Sequence, residues 1–542
     1  MFLGVVLATA TGFLLGRIRG SPSDDSGLPE RGNLILARGR VSLPNGYTVP
    51  EGKTFRFDPT QDTTVECGAN LVVEGVLESR PNAGVTHTLR FVGIDENNFL
   101  GSGMDPIASD IGLWVMGAGR LDFHGIPKEG WNRTGDSATW ADTDEILVAP
   151  TDAGDYTTFL AHPRGTAPAH VADMPSAEVF SLTRSMNVEG TPSGRAHVFI
   201  RSTSPQSIRY ATFRHMGPMK DGTEVAGRWP LHFHHAHDGS RGSIVEGCVV
   251  RDSGGHAYVA HMSHGITFRD SVAYNIRGDA YWWDVADDTN DTLYDHCLAA
   301  NIWHDRRPEE IQTTGFWMGR GTGNVARDCA AAGVRGSTSH SPTSQSGFHW
   351  PEVANGTPSH WVADDLVAHN IRGNGSYIWQ NKTPTEHIVN GFTASRCAKA
   401  GLLHGAYANR FRFFDAHLNE NGISQHAVDL GTDTGQTRAR VLAATGQACV
   451  TVPKHSLDAV DPMLYELCAL DGGTFALDVM DGASGVTKLD LVRCTRDGGE
   501  VEPSAIRVQP MKPGSLIRVQ RNDGSAYQVD HRGVVKPIPA FA

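Results

Sequence analysis

The sequence predicts an all-β protein: a parallel β-helix preceded by a β-rich segment. Short strand-like runs recur along the middle and C-terminal half, and no amphipathic helical pattern comes between them. Glycine fills 61 of 542 positions, well above the average of roughly 7%, which favours many turns over long helices. The third observation is a shared register of small residues at the start of each unit.

That register runs through Cys248, Ser271, Cys297, Cys329, Leu366, Phe392, Ala416, Leu442, Cys468 and Cys494. Successive anchors lie 23, 26, 32, 37, 26, 24, 26, 26 and 26 residues apart. Each unit joins a short β run, a polar Asn/Asp/Gly turn, and a second short run such as Tyr377 to Trp379. Units of this length stack as coils, with equivalent positions forming ladders. A propeller blade needs about 40 residues. Cys248, Cys297 and Cys329 then read as small buried hydrophobes, since eight cysteines are too few for a disulfide framework in a chain this long. The two long spacings imply loops inserted after Asn301 and Gly333.

Upstream, residues 33–150 alternate short β runs with glycine turns, as in Thr54 to Phe57 and Asn70 to Leu77, which fits a sandwich or a β-helical cap. Residues 151–200 bridge to the β-helix of 201–520, and 521–542 read as a C-terminal tail. Residues 1–32 form an apolar segment and linker. Phe2 to Leu15 is apolar, but no Lys or Arg precedes it and Arg17 and Arg19 follow it. A secretory signal wants the opposite charge order, and the stretch is short for a membrane span. Signal, anchor and docking segment all remain open, so membrane association is undecided. The net charge of −13 excludes nucleic acid as a partner and opposes a polyanionic glycan unless a local basic groove intervenes.

An ordered series of motifs then resembles a family. Gly119 to Trp131, Leu182 to Val188, Phe213 to Gly217, Arg228 to His234, Gly278 to Asp284, Asp295 to Leu298, Gly315 to Met318 and Asn419 to Ile423 are similar to the cell-surface hyaluronidases (transmembrane and cell-migration-inducing), with fibrocystin a more distant relative. The resemblance spans about residues 33–425. It implies a G-eight-like β domain, a right-handed parallel β-helix, an extracellular or cell-surface setting, and a glycan that is bound or cut. The chain departs from the pattern in extending the histidine run by His235 and His237 and in lacking a convincing membrane anchor.

The densest chemistry is that run, from Arg228 to His237. In a strand, His232 and His234 share one face with Pro230, while Leu231, Phe233 and His235 share the other. The coil register stacks Asp279 on His256, about 5 Å away. Asp279 and Asp284 bracket Tyr281, Trp282 and Trp283. These residues compose a glycan site in which His232 or His234 serves as acid or base and Asp279 and Asp284 act as the carboxylates of glycosidic cleavage. Arg228 would hold a uronate, with His256, Trp282 and Trp283 against the sugar.

Each has a plainer alternative. The histidines can form a hydrogen-bonded ladder, Asp279 can be a turn residue, and one of the two tryptophans belongs in the core. Metal ligation lacks a third and fourth ligand from spacing alone. No cofactor is required, although Asp287, Asp288 and Asp291 offer oxygens to calcium as readily as to solvent. Two functions stay open. One is a hyaluronidase-like polysaccharide-degrading enzyme, hydrolase or lyase. The other is a non-catalytic carbohydrate-binding or structural β-helix, such as an adhesin or a trimeric phage-tail component of a virion. The enzyme needs two carboxyls about 5 to 9.5 Å apart across one open cleft.

Overall fold

The computed structural model describes residues 28–150, 155–162, 177–283, 288–304, 313–336, 345–351, 357–378, 387–404, 411–421, 423–427, 437–446, 449–452, 463–467, 469–470, 474–477, 488–508 and 513–542. Among these there is no α-helix, and three stacks of parallel strands wind into a β-helix.

The first stack begins with Leu34–Ala37, Thr54–Phe57, Val76–Ser79, Arg120–His124 and Ser207–Arg209. The second begins with Arg40–Leu43, Thr63–Cys67, His87–Phe91, Met186–Glu189 and Ala211–Arg214. The third runs through Tyr47–Val49, Leu71–Val73, Leu113–Gly117, Val198–Ser202 and Leu231–His237. Of the two architectures open to residues 33–150, the sandwich is therefore excluded, because their strands form the first coils of the same stack.

A small antiparallel sheet of Trp131–Asn132, Ile146–Val148, Leu160–Ala161 and Val179–Ser181 packs outside the second stack. Trp131, Phe180 and Leu182 bury their apolar surface against Val249, Val272, Leu298 and Ala330. The boundary expected at residue 150 runs through this sheet.

The polar turn of each repeat has a conformational cause. Where the first stack passes into the second, Asp270, His296, Asp328, Asp365 and Asp415 take φ of 46, 52, 47, 53 and 51°. This left-handed region is costly for most side chains and best tolerated by Gly, Asn and Asp. Asp252, Asn275, Asn301 and Asn370 repeat the same kink near the ends of second-stack strands, with φ of 52 to 55°.

The interior is laddered. Tyr258, Tyr281, Phe316 and Phe348 stack ring on ring at 4.8, 4.5 and 5.1 Å, close to the inter-strand spacing of roughly 4.8 Å. Cys248, Cys297 and Cys329 are fully buried, as their shared register implies. Burial pushes the Cys248 thiol up to about 12, so it is inert toward oxidation or metal at neutral pH.

Antiparallel strands add to both ends of the first stack. Glu30–Arg31 runs antiparallel to Leu34–Ala37. At the other end Leu516–Gln520, Ala526–Asp530 and Val535–Ile538 form an antiparallel meander. Residues 521–542, expected as a tail, are thus a folded cap, because two β runs with tight turns can satisfy the last coil's edge.

Candidate functional site

The histidine run lies on the third stack, where Leu231 and Phe233 enter the core and His232 and His234 face outward. Outward is not exposed here. In register along the same outer face lie Trp114, Phe199, His232, Val259 and Trp282, all buried.

His232 is completely buried. Its Nδ1–H donates to the Gly227 carbonyl at 3.0 Å, which leaves the Nε2 lone pair facing His234 Nδ1 at 3.2 Å. Burial, reinforced by the neighbouring His234, drives the His232 pKa well below its ordinary value, so the ring is neutral. The parallel register sets His261 beside His234, their ring centroids 4.8 Å apart. One nitrogen from each of His232, His234 and His261 lies within 4.8 Å of the others. Sequence reasoning missed His261. The offset of 27 residues that pairs Leu231 with Tyr258 would have found it, since the same offset carries His234 onto His261.

His235 departs from the expected alternation. Its φ of 49° kinks the strand, and the pairing register shifts after His234. The ring stands 4.4 Å from His234 and 4.6 Å from His261 instead of entering the core with Phe233.

Arg228 cannot hold a substrate in this structure. It is completely buried, and its Nε donates to Asp110 at 2.7 Å. Its guanidinium lies over Trp114 and Phe199, at 4.6 and 5.3 Å. Burial works to raise the Asp110 carboxyl, but hydrogen bonds from the Leu100 N–H, Arg228 and Ser109 outweigh it and hold the group below its usual range.

Asp279 does stack one coil beyond His256, as the register required, with Oδ2 3.1 Å from His256 Nδ1. The same nitrogen lies 3.0 Å from the Asp279 backbone N–H. Neutral Nδ1 accepts the N–H, whereas protonated Nδ1 donates to the carboxylate, so the two contacts exclude each other. The His256 ring stacks on Trp282 at 3.8 Å and meets Trp229 edge-on at 4.9 Å. Asp279 is 2% exposed, which denies it the open access that glycosidic cleavage requires.

Trp282 and Trp283 both pack with Trp229, Val259 and Trp317 outside the stack. Neither enters the interior, because the strand ends at Trp282 and its alternation goes no further. Asp284 and Asp287 lie outside the described residues. Asp288 pairs with Arg320 at 2.8 Å and Asp291 with Arg241 at 2.6 Å, so these carboxylates face guanidinium groups.

An open cleft of roughly 570 Å³ lies elsewhere, against the second stack. Asp328, Asp365, Gly391 and Asp415 come from the left-handed corner column, Leu366, Val367, Thr393 and His417 from the adjoining strands, and Arg133 from beside the small antiparallel sheet. Gly391, with φ of 72°, leaves room for a neighbouring carboxylate: a Cβ there would meet Asp365 Oδ1 at 2.4 Å. Arg133 joins Asp328 at 3.3 Å and Glu178 at 3.2 Å. The only sequence signal for this cleft was a recurring aspartate at the repeat turn, which also has the conformational explanation given above.

Against known proteins, residues 194–306 match the family model described as CEMIP beta-helix. The chain is 24% identical over 109 residues to Fibrocystin-L of Mus musculus, covering 20% of this chain and 3% of that protein. It is 32% identical over 69 residues to a G8 domain-containing protein of Dictyostelium discoideum, covering 13% of this chain and 5% of that protein. The matched regions are therefore small fractions of these relatives. Together with the architecture, they fit a CEMIP/G8-like β-helix family.

Proposed function

We propose that this chain, a β-helix of CEMIP/G8-like kind, is an extracellular or cell-surface protein that binds a neutral glycan in the open cleft. The observation that carries the reading is the cleft's lining. Asp328, Asp365 and Asp415 supply acceptors for sugar hydroxyls, Arg133, Thr393 and His417 supply donors, and Leu366 and Val367 give apolar surface for the ring faces. Three carboxylates on one column oppose a polyuronate, in line with the chain's net charge of −13. The virion alternative finds no support in similarities to mouse and amoebal proteins.

One feature favours a second reading, hydrolysis in the same cleft. Asp328 and Asp365 occupy the same corner one coil apart, so their backbones are separated by roughly 4.8 Å. Retaining glycosidases hold their two carboxyl groups about 5 to 5.5 Å apart.

Retention and product size on a panel of neutral and uronate-containing glycans test both readings. Binding requires a neutral glycan to be retained by the wild type and at least tenfold more weakly by Asp365→Asn. Equal retention by both proteins, or retention of uronates alone, overturns it. Shortening of the glycan that disappears in both Asp328→Asn and Asp365→Asn converts the binding site into a hydrolase.

A further inference from the structure

We propose that His232, His234 and His261 form a binding site for a borderline divalent transition metal of the zinc, copper and nickel class. The site is independent of the glycan cleft.

The geometry has three parts. Two ligands come from one strand at positions i and i+2, so they share a face. The third comes from the next coil, locked beside His234 by parallel register. Second, one pair is already at coordination spacing. Zinc–imidazole bonds of about 2.0–2.1 Å in a tetrahedron hold neighbouring nitrogens about 3.3 Å apart, and His232 Nε2 and His234 Nδ1 are 3.2 Å apart. The trio spans up to 4.8 Å, so its widest separation must close by roughly 1.5 Å to meet that tetrahedral edge.

Third, one of the three rings is already held from behind. Ligating histidines commonly donate the other ring N–H to a backbone carbonyl or carboxylate, which fixes the tautomer and aims the lone pair. His232 does this through Gly227, at 3.0 Å.

Electrostatics permit a cation. The nearby Arg228 is paired with Asp110 at 2.7 Å, which reduces its repulsion. Three imidazole nitrogens suit zinc, copper or nickel and do not suit calcium, which takes oxygen ligands. Three protein ligands leave a coordination position for water or another small donor.

The test uses the full-length chain, stripped with chelator and titrated with zinc(II), copper(II) or nickel(II) by calorimetry and metal analysis. One equivalent of metal is expected, with nitrogen hyperfine structure in the copper(II) electron paramagnetic resonance spectrum. His234→Ala and His261→Gln are each expected to weaken binding at least tenfold, while His237→Ala, in the same run but outside the trio, leaves it unchanged. Added zinc raises the melting temperature of the wild type, a readout that needs no variant to fold. Absence of any stoichiometric metal, or binding lost with His237→Ala but kept in both trio variants, overturns the site.

Discussion

Glu178 and His369 meet at 2.5 Å with side-chain exposures of only 1% and 2%, and Arg133 approaches the same carboxylate at 3.2 Å. Burial works to raise the Glu178 pKa, but charged His369, its hydrogen bond and Arg133 prevail and lower it from 4.5 to about 2. Burial works to lower that of His369, and Glu178 overcomes it, so the net shift is upward from 6.5. The depressed carboxyl stabilises the fold above about pH 4.5, and that contribution fades as pH falls toward 2. The raised imidazole stabilises it below pH 6.5, and that contribution fades as pH rises through the folded-state value above 6.5. The pair therefore contributes most between about pH 4.5 and 6.5. His369→Gln is expected to cost about 3–5 kcal/mol there, because it strands a buried carboxylate, and to flatten the decline on the alkaline side. Melting temperature measured against pH checks this, and an alkaline limb identical in wild type and variant would refute it. The pair is separated by 191 residues, so no local motif announced it. His232 and His234 were legible as a shared face because alternation is local, whereas the burial that removes Arg228 and Asp279 from solvent depends on packing that spacing does not encode.

Strands of one coil approach those of another closely enough to dictate composition. Ala273, Ala299, Ala331, Ala368 and Ala394 form one interior ladder. Facing it, Gly315, Gly347 and Gly375 lie so near the next coil that a Cβ on each would meet the Gly347, Gly375 and Gly401 carbonyl oxygens at 2.6, 2.8 and 2.5 Å. The Gly347 Cβ would also stand 2.6 Å from the Cβ of Ala368. Neither obstacle is the end of a flexible chain, so Gly347→Ala forces backbone to move. Overpacking of this kind costs about 1–3 kcal/mol, and the melting temperature should fall. Gly499→Ala is the control, since its nearest neighbour would be Arg496 O at 3.5 Å, an ordinary contact. Equal melting temperatures for the two variants would mean that the sheets relax apart freely. At this scale the sequence was informative: the period, the polar turn and the Cys248–Cys297–Cys329 column all follow from repetition. His261 is not legible from that column, because the histidine strand precedes Cys248 and the column does not align it with its successor. His235 escaped because its left-handed φ interrupts a pattern that alternation alone continues.

A stack of coils behaves as a one-dimensional object, each coil stabilised by its neighbours and both ends needing cover. Its terminal strands otherwise present rows of unpaired N–H and C=O groups that invite another chain. Here the last parallel strand, Leu516–Gln520, pairs on one side with Lys488–Val492 and on the other with the antiparallel Ala526–Asp530. The Tyr527 hydroxyl ties this cap down by donating to the Val501 carbonyl at 2.7 Å, and Val529 adds a buried apolar contact at 3% exposure. Removing residues 521–542 would expose the Leu516–Gln520 edge and uncover Ile517 and Val519, now 0% and 1% exposed. The truncated chain is expected to associate in a concentration-dependent way, measurable by light scattering, while Tyr527→Phe, which removes one hydrogen bond worth about 1 kcal/mol, stays monodisperse. Nearest-neighbour coupling also predicts that the damage stays local. The open cleft, built from Asp328 to His417, and the histidine trio, built from His232 to His261, lie coils away from the exposed edge. Whatever fraction of the truncated chain remains soluble should therefore match the wild type in the glycan-retention and metal-titration tests proposed above. A truncated chain that is monodisperse would show that the meander is dispensable as a cap. One that is soluble but has lost both binding functions would show cooperativity running the length of the stack, contrary to additive coupling between adjacent coils.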